Sequence, residues 1–490
     1  MELKKNIIEF DTHGIANEQV SQNTMTILNT LRDAGHQAYI VGGAVRDLLL
    51  GKKPKDFDIV TSAKPDQVKA LFKRCALIGK RFVLAHVYIQ DQQPTEVSTF
   101  RKTPNVDLEE STDNHQVNEE GRILKGNCYG ESIEDDVVHR DFTINALYYD
   151  PIANQIVDLV NGYQDCIGRN IVFINQNNIE SIKEDPARII RIIRFSQVLQ
   201  CPIKPELEKL ISEHVALLNN IPPARRMVEL VKMFHSGYGV QSYEQLEKYK
   251  MIELLFGNVT PALDHEEEHP IRKFVRIGLE NTDDRILKKN HTSKAFLMAV
   301  LYWPYAMARS EYSLPPTQNL HLIGKELFAS FLRGLPKVHQ DMLLTIWSLQ
   351  NKFRETLPEQ IPQFCRQRYF RAAYDFYVLR VQSGLESEQK LELWTQSRDQ
   401  YAPANQENKF ERGSHARRRP FGNGNKRFKN RKNGRGGNKS SSSNPNKVST
   451  DQQYSQSGEL VYDKYNSFDS FEPEAEKTIV TSNKFNLLDS

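Results

Sequence analysis

Apolar positions change their spacing along the chain, and the changes mark out its elements. Helical spacing over residues 25–35 ("MTILNTLRDAG") closes on Gly35, and "AYIV" (38–41) is a short apolar strand. A "GG" turn follows, then a helix "AVRDLLL" (44–50) stopped by Gly51, a strand "DFDIVT" (56–61) and a helix "KPDQVKALFKRC" (64–75). "FVLAHVYI" (82–89) and "PTEVSTF" (94–100) read as strands around a polar turn. Residues 101–130 are polar without an apolar face and are expected to be a long mobile loop. "TINALYYD" and the strand-like "QIVDLV" complete this part. From "ESIKEDPARIIRIIRFSQVL" to about residue 395 the spacing is helical, as in "MVELVKMFHSG", "KAFLMAVLYW" and "HQDMLLTIWSLQ". The expected class is α+β: a head with a small mixed sheet, then all-α neck and body, then a tail too poor in apolar residues to order itself. The expected divisions are an extension (1–24), head (25–165), neck (166–235), body (236–400) and tail (401–490).

Charge changes that picture mainly in the tail. The net charge is only +3, yet ten basic residues and no acids lie between Arg417 and Lys439, leaving −7 for everything else. These include Arg417, Arg418, Arg419, Lys426, Arg427, Lys429, Arg431 and Lys432, a stretch suited to RNA phosphates, with Phe421 and Phe428 able to stack on bases. A solubilising tail is the plainer alternative. The end, 455–490, is more acidic and carries a short apolar "KFNLL", a candidate docking segment for RNA-decay machinery. Five scattered cysteines without a C-x-x-C pair point away from disulfides and zinc ribbons and towards a reducing, cytoplasmic setting. No leader-like apolar region opens the sequence, and no apolar run approaches the ~18 residues of a membrane span.

The candidate chemistry begins in "VGGAVRDLLLGKKPKDFDIV". On a strand, Asp56 and Asp58 share one face with Phe57 turned inward. Such a pair is either a solvated edge or a seat for a divalent cation, and hard oxygens beside phosphate favour Mg²⁺. Gly42 and Gly43 allow close backbone approach to a phosphate, and Arg46 in the following helix's first turn offers a fork for it; a plain glycine turn is the alternative. Glu96 is a candidate third carboxylate. His139, Arg140 and Asp141 form a charged cluster at the edge of "FTINALYY". Asp185, Arg188 and Arg191 recur every three residues at a helix start, to pair with one another or to read a base edge.

Five segments in order ("VGGAVRDLLLG", "DFDIVT", "EVSTFR", "HRDFTINALYY", "EDPARIIRIIRF") resemble the class II template-independent nucleotidyltransferases of the polymerase-β superfamily. That family includes CCA-adding enzymes and bacterial poly(A) polymerases. "LIGKRFVLAHV" (77–87) is similar to the signature separating the poly(A) polymerases, as are "NNIPPARRMVELVKMFHSGYG", "FRAAYDFYVLR" and a basic tail. The chain departs from the family at His139, where an arginine is usual.

The resemblance implies polyadenylation of single-stranded RNA 3′ ends from ATP, with two Mg²⁺ ions on Asp56 and Asp58. It implies a catalytic role for Asp141 and Glu96, and nucleotide contacts from Gly42, Gly43, Arg46, Arg140, Asp185, Arg188 and Arg191. The alternatives are a CCA-adding tRNA nucleotidyltransferase and a non-catalytic RNA-binding protein on the same scaffold.

Overall fold

The computed structural model describes residues 3–79, 83–89, 93–102, 128–175, 177–257, 269–311 and 313–402, with the backbone of 116–117 and 123–125. The expected tail, with its RNA-binding arginines and lysines, lies outside the described residues.

The head is an eight-stranded sheet formed by β1 (Asn6–Glu9), β2 (Ala38–Val41), β3 (Asp58–Thr61), β4 (Cys75–Ile78), β5 (Leu84–Val87), β6 (Thr95–Thr99), β9 (Leu147–Asp150) and β10 (Gln155–Asp158). A separate antiparallel pair, β7 (Gln116–Val117) and β8 (Ile123–Lys125), sits between β6 and β9 in the chain. The order in space is β1-β10-β9-β2-β3-β6-β5-β4, antiparallel throughout except that β3 runs parallel to β6. Alternation explains why both faces are covered. Ile40 and Ile59 face one core with Ile27, Leu28 and Leu31 of helix α1 (Gln22–Asp33), while Val41 and Val60 face a second with Phe100, Val137 and Tyr148.

Local signals place the ends of these elements. The Ser21 hydroxyl accepts from the Thr24 N–H at 3.1 Å and starts α1, and Gly35 at φ 84° closes it. Helix α2 (Gly43–Leu49) follows the turn at Gly42, and helix α3 (Pro65–Leu71) begins on its proline.

Three expectations are corrected. Helix α3 stops at Leu71, because Phe72 turns extended and is buried, so Cys75 belongs to strand β4, paired with β5. The expected extension contains β1, which hydrogen-bonds to β10 as the sheet's edge. The stretch 101–130, expected to be a loop, contains the antiparallel pair β7–β8, and its base is closed by the Lys102 N–H donating to the Cys128 carbonyl at 3.1 Å and the Gly130 N–H to the Phe100 carbonyl at 2.7 Å.

The helices that follow include α4 (Asn178–Glu184), α5 (Ala187–Leu199) and α6 (Pro223–Phe234) of the neck, and α7 (Pro270–Leu287), α8 (Lys294–Leu301), α9 (Lys337–Glu355) and α10 (Phe370–Gln382) of the body. The first of these cores runs from the head through the neck to Phe376, and a third closes the end around Phe353 and Trp394. Head and neck therefore pack as one body. Among the described residues no helix is long and apolar enough to cross a membrane.

Candidate active site

Asp58 opens β3 and pairs across to Val41, the residue before the glycine turn. On its other side β3 runs parallel to β6 with Ile59 beside Val97, so the register carries Asp58 alongside Glu96. Asp56 and Asp58 are both exposed, and Phe57 between them packs against the core. The three carboxylates thus gather at one end of two central strands. Protein walls around its cleft raise the Asp56 carboxyl above its ordinary value; Glu96 and Asp47 add to the rise while Lys232 and Lys55 oppose it.

Opposite these acids lies a cation cluster. Arg46 is the fourth residue of α2, in the turn beyond the expected one, and its guanidinium folds back beneath the glycines: a Cβ at Gly43 would stand 3.4 Å from its Nη2. It donates to Asp47 at 3.0 and 2.7 Å and to the Asn145 side-chain carbonyl at 2.9 Å. Its guanidinium carbon is 5.0 Å from the Phe195 ring, which Arg191 and Arg194 approach at 5.3 and 4.6 Å. Glu229 of α6 is the buried counter-charge, 3.7 Å from Arg191 and 4.0 Å from Arg194. Burial and the neighbouring Arg191 bring Arg194 down to about 10 against the pull of Glu229. The three arginines of this cluster face three acids: Asp47 pairs with Arg46, Asp141 with Arg191, and Glu229 lies beside Arg191 and Arg194.

The remaining expected residues have definite places. Asp141 pairs with Arg191, and its Oδ1 accepts from the Phe142 N–H at 2.9 Å and from Asn145 at 3.2 Å. Burial raises its carboxyl, but Arg191 and these donors bring it below the ordinary value. Asp185 caps α4, accepts from the Ala187 N–H at 3.3 Å and is held by Arg225 at 2.5 Å. Arg188 donates to the Ser181 carbonyl at 3.0 Å and to Glu184 at 3.1 Å. Arg140 is turned away into the protein: it donates to Asp136 at 2.8 Å and to the Tyr148 hydroxyl at 3.1 Å, so its charge serves that buried carboxylate here. His139 is half-buried, and burial with Arg101 nearby lowers its pKa. That shift favours the neutral imidazole where an arginine would carry charge.

Comparison with known proteins establishes the family. The chain matches the poly A polymerase head domain over residues 38–172, the probable RNA and SrmB-binding site of polymerase A over 202–265, and the polymerase A arginine-rich C-terminus over 332–435. Poly(A) polymerase I of Salmonella typhi is 36% identical over 82% of this chain and 87% of its own length. That of Escherichia coli O6:H1 is 34% identical over 79% and 84%. The chain belongs to the poly(A) polymerase I family. It is accordingly a polynucleotide adenylyltransferase that polyadenylates RNA without a template. CCA-adding enzymes are its more distant relatives: that of Streptococcus uberis is 28% identical over 66% of this chain and 81% of its own. A solved CCA-adding enzyme in an apo form shares the fold, with a TM-score of 0.51 at 18% identity over 81% of this chain and 86% of that one.

Several residues of this poly(A) polymerase site were not singled out by sequence reasoning. Arg194 had a visible signal, since "RIIRIIR" continues the three-residue spacing of Arg188 and Arg191. Asp47 stands directly after Arg46. Asn145, Glu229 and Lys55 carried no signal, because the contacts that tie them to the arginines and to the neck cross 30 or more residues of chain.

Mg²⁺ fits the acidic side. Among the described residues no set of three His, Cys, Asp or Glu side chains forms a ready-made metal cage. Mg²⁺ is ordinarily held by one or two carboxylates together with water and substrate phosphates. Burial is the main cause of the raised Asp56 carboxyl and Glu96 adds to it, and a bound divalent cation would offset both.

Proposed function

We propose that this polymerase transfers AMP from ATP to an RNA 3′-hydroxyl at the cleft between the Asp56–Asp58–Glu96 edge and the Arg46–Arg191–Arg194 cluster. The 3′-oxygen attacks the α-phosphorus, the bond to the β-phosphate oxygen breaks, and pyrophosphate leaves. Asp56 and Asp58 would hold two Mg²⁺ ions, which when bound neutralise charge on the attacking and leaving oxygens. Glu96 supports those carboxylates from β6. Gly42 and Gly43 let the triphosphate approach the backbone, with the guanidinium of Arg46 beneath them. Asp141 fixes Arg191 and so orients α5, whose first turns carry Arg188 beside Asp185. A polar array held this rigidly discriminates among base edges, since a wrong base leaves its groups unpaired. The basic tail adds sequence-blind phosphate contacts. The added tract feeds RNA turnover in the cytoplasm, where ATP and RNA 3′ ends meet.

The observation that carries this reading is the alignment of Asp58 with Glu96 across β3 and β6. The purified chain is incubated with Mg²⁺, single nucleotides, and either unstructured RNA or tRNA lacking its CCA end. Long products from ATP alone on unstructured RNA are expected. Addition limited to two C and one A on tRNA would transfer the reading to the CCA-adding class. RNA retention without incorporation would leave only a binding protein.

A further inference from the structure

The loop that carries Asp56, "GKKPKDFD" (51–58), contains two lysines that reach out of the head. The Lys52 ammonium donates to the Val198 carbonyl at 2.7 Å, and the Lys55 ammonium to the His235 carbonyl at 3.3 Å. Those acceptors lie at corresponding places. Val198 is the penultimate residue of α5, and His235 caps the end of α6. The last carbonyls of a helix have no partner inside it and carry its partial negative charge, so each ammonium meets an acceptor the helix leaves open. Pro54, between the two lysines, restricts the loop.

These are the helices that build the other wall of the cleft. Helix α5 carries Arg191 and Arg194 along its length and Arg188 near its start, and α6 carries Glu229. With 13 residues, α5 is a rod of roughly 20 Å, with the proposed base-reading residues at one end and Lys52 at the other.

We propose that Lys52 and Lys55 are positioning residues, a two-point clamp through which the neck helices set Asp56 in its catalytic position. The clamp rests on the reading of Asp56 and Asp58 given above. It ties the acidic wall to the cationic wall, so a nucleotide that settles α5 also settles the loop. Both lysines are exposed, so their removal leaves the core intact.

Steady-state AMP incorporation on unstructured RNA, with ATP and Mg²⁺ each varied, tests the clamp. K52M/K55M is expected to lower kcat about tenfold, since small misplacements of catalytic groups are costly in rate. KM for ATP should stay within about twofold of wild type, because the phosphate and base contacts are untouched. The Mg²⁺ concentration for half activity should rise, and K52R/K55R, which keeps both donors, should recover most of the rate. An unchanged kcat in K52M/K55M overturns the clamp, as does an arginine variant as slow as the methionine one. Thermal melting of each variant separates a loss of position from a loss of fold; if K52M/K55M melts early, Lys55→Gln alone should show the same split between kcat and KM, and its absence also refutes the clamp. Asp58→Ala is run alongside: if it polymerises normally, the site assignment fails and the clamp with it, whereas an inactive Asp58→Ala beside an unaffected K52M/K55M refutes the clamp alone.

Discussion

The Oδ2 atom of Asp141 accepts from both Nε and Nη2 of Arg191, joining the end of the head's "HRD" segment to neck helix α5. The pair is largely buried, with the more deeply buried Glu229 beside Arg191. Removing one partner would leave the other charge enclosed. Arg191→Met is therefore expected to cost about 3–5 kcal/mol in urea unfolding. D141N/R191M should recover part of that loss, which a double-mutant cycle measures.

The two glycines of the turn should respond differently. Gly42 sits at φ 79°, ψ −137°, with open space where a Cβ would project, so Gly42→Ala carries backbone strain alone. A loss of about 1–3 kcal/mol is expected. Gly43 has an ordinary helical place and only the Arg46 guanidinium nearby, at 3.4 Å from an added Cβ. Gly43→Ala should keep the thermal midpoint but raise KM for ATP severalfold by blocking phosphate approach. Equal melting losses in the two variants would contradict this division.

Acid should loosen the head through Asp136. Burial alone would raise this carboxyl, but Arg140 and Arg101 hold it at about 2, below its ordinary 3.8. A depressed folded value stabilises above the unfolded value and is lost as pH falls from about 4 towards 2. The contribution is about 2 kcal/mol. Comparing urea midpoints of wild type and Asp136→Asn across that range checks it: the variant is weaker near neutrality and flatter in acid.

Asp56 has the opposite sign. Its raised carboxyl means that the ionised form costs the fold stability near neutral pH, a cost that disappears as acid protonates it. Asp56→Asn should melt later than wild type while AMP incorporation falls on the order of a hundredfold or more. Lys232 lowers the Asp56 value, so Lys232→Met should move the acid limb of kcat/KM to higher pH.

Deleting residues 417–439 removes ten cations. For every phosphate that the shortened chain leaves unneutralised, the slope of log affinity against log salt should fall by about 0.7 on single-stranded RNA. Binding isotherms at several salt concentrations read this directly, and an unchanged slope would remove the tail from RNA binding.

Much of this was legible in the residue order. Period-two and helical spacing set the central strands and the neck helices, because those patterns follow from which side of a strand or turn must meet the core. The glycine turn, the D-x-D and the start of α5 at Pro186 are local features, and local rules suffice for them. Misreadings came where tertiary contacts override local preference: α3 stops at Leu71 because Phe72 is taken into the core, and residues 6–9 become a strand because β10 offers them an edge.

Apart from local pairs such as Arg46–Asp47 and Arg140–Asp136, charge partners were decided by the tertiary structure. Arg46 finds Asn145 across 99 residues and Arg191 finds Asp141 across 50, while Arg140, expected at the nucleotide, is occupied by Asp136. Glu96 gains its meaning only from the parallel register of β3 and β6. Side-chain periodicity says which way a residue faces. Coulomb energy and burial depend on the distance to whatever faces it, and that distance exists only once the chain has folded.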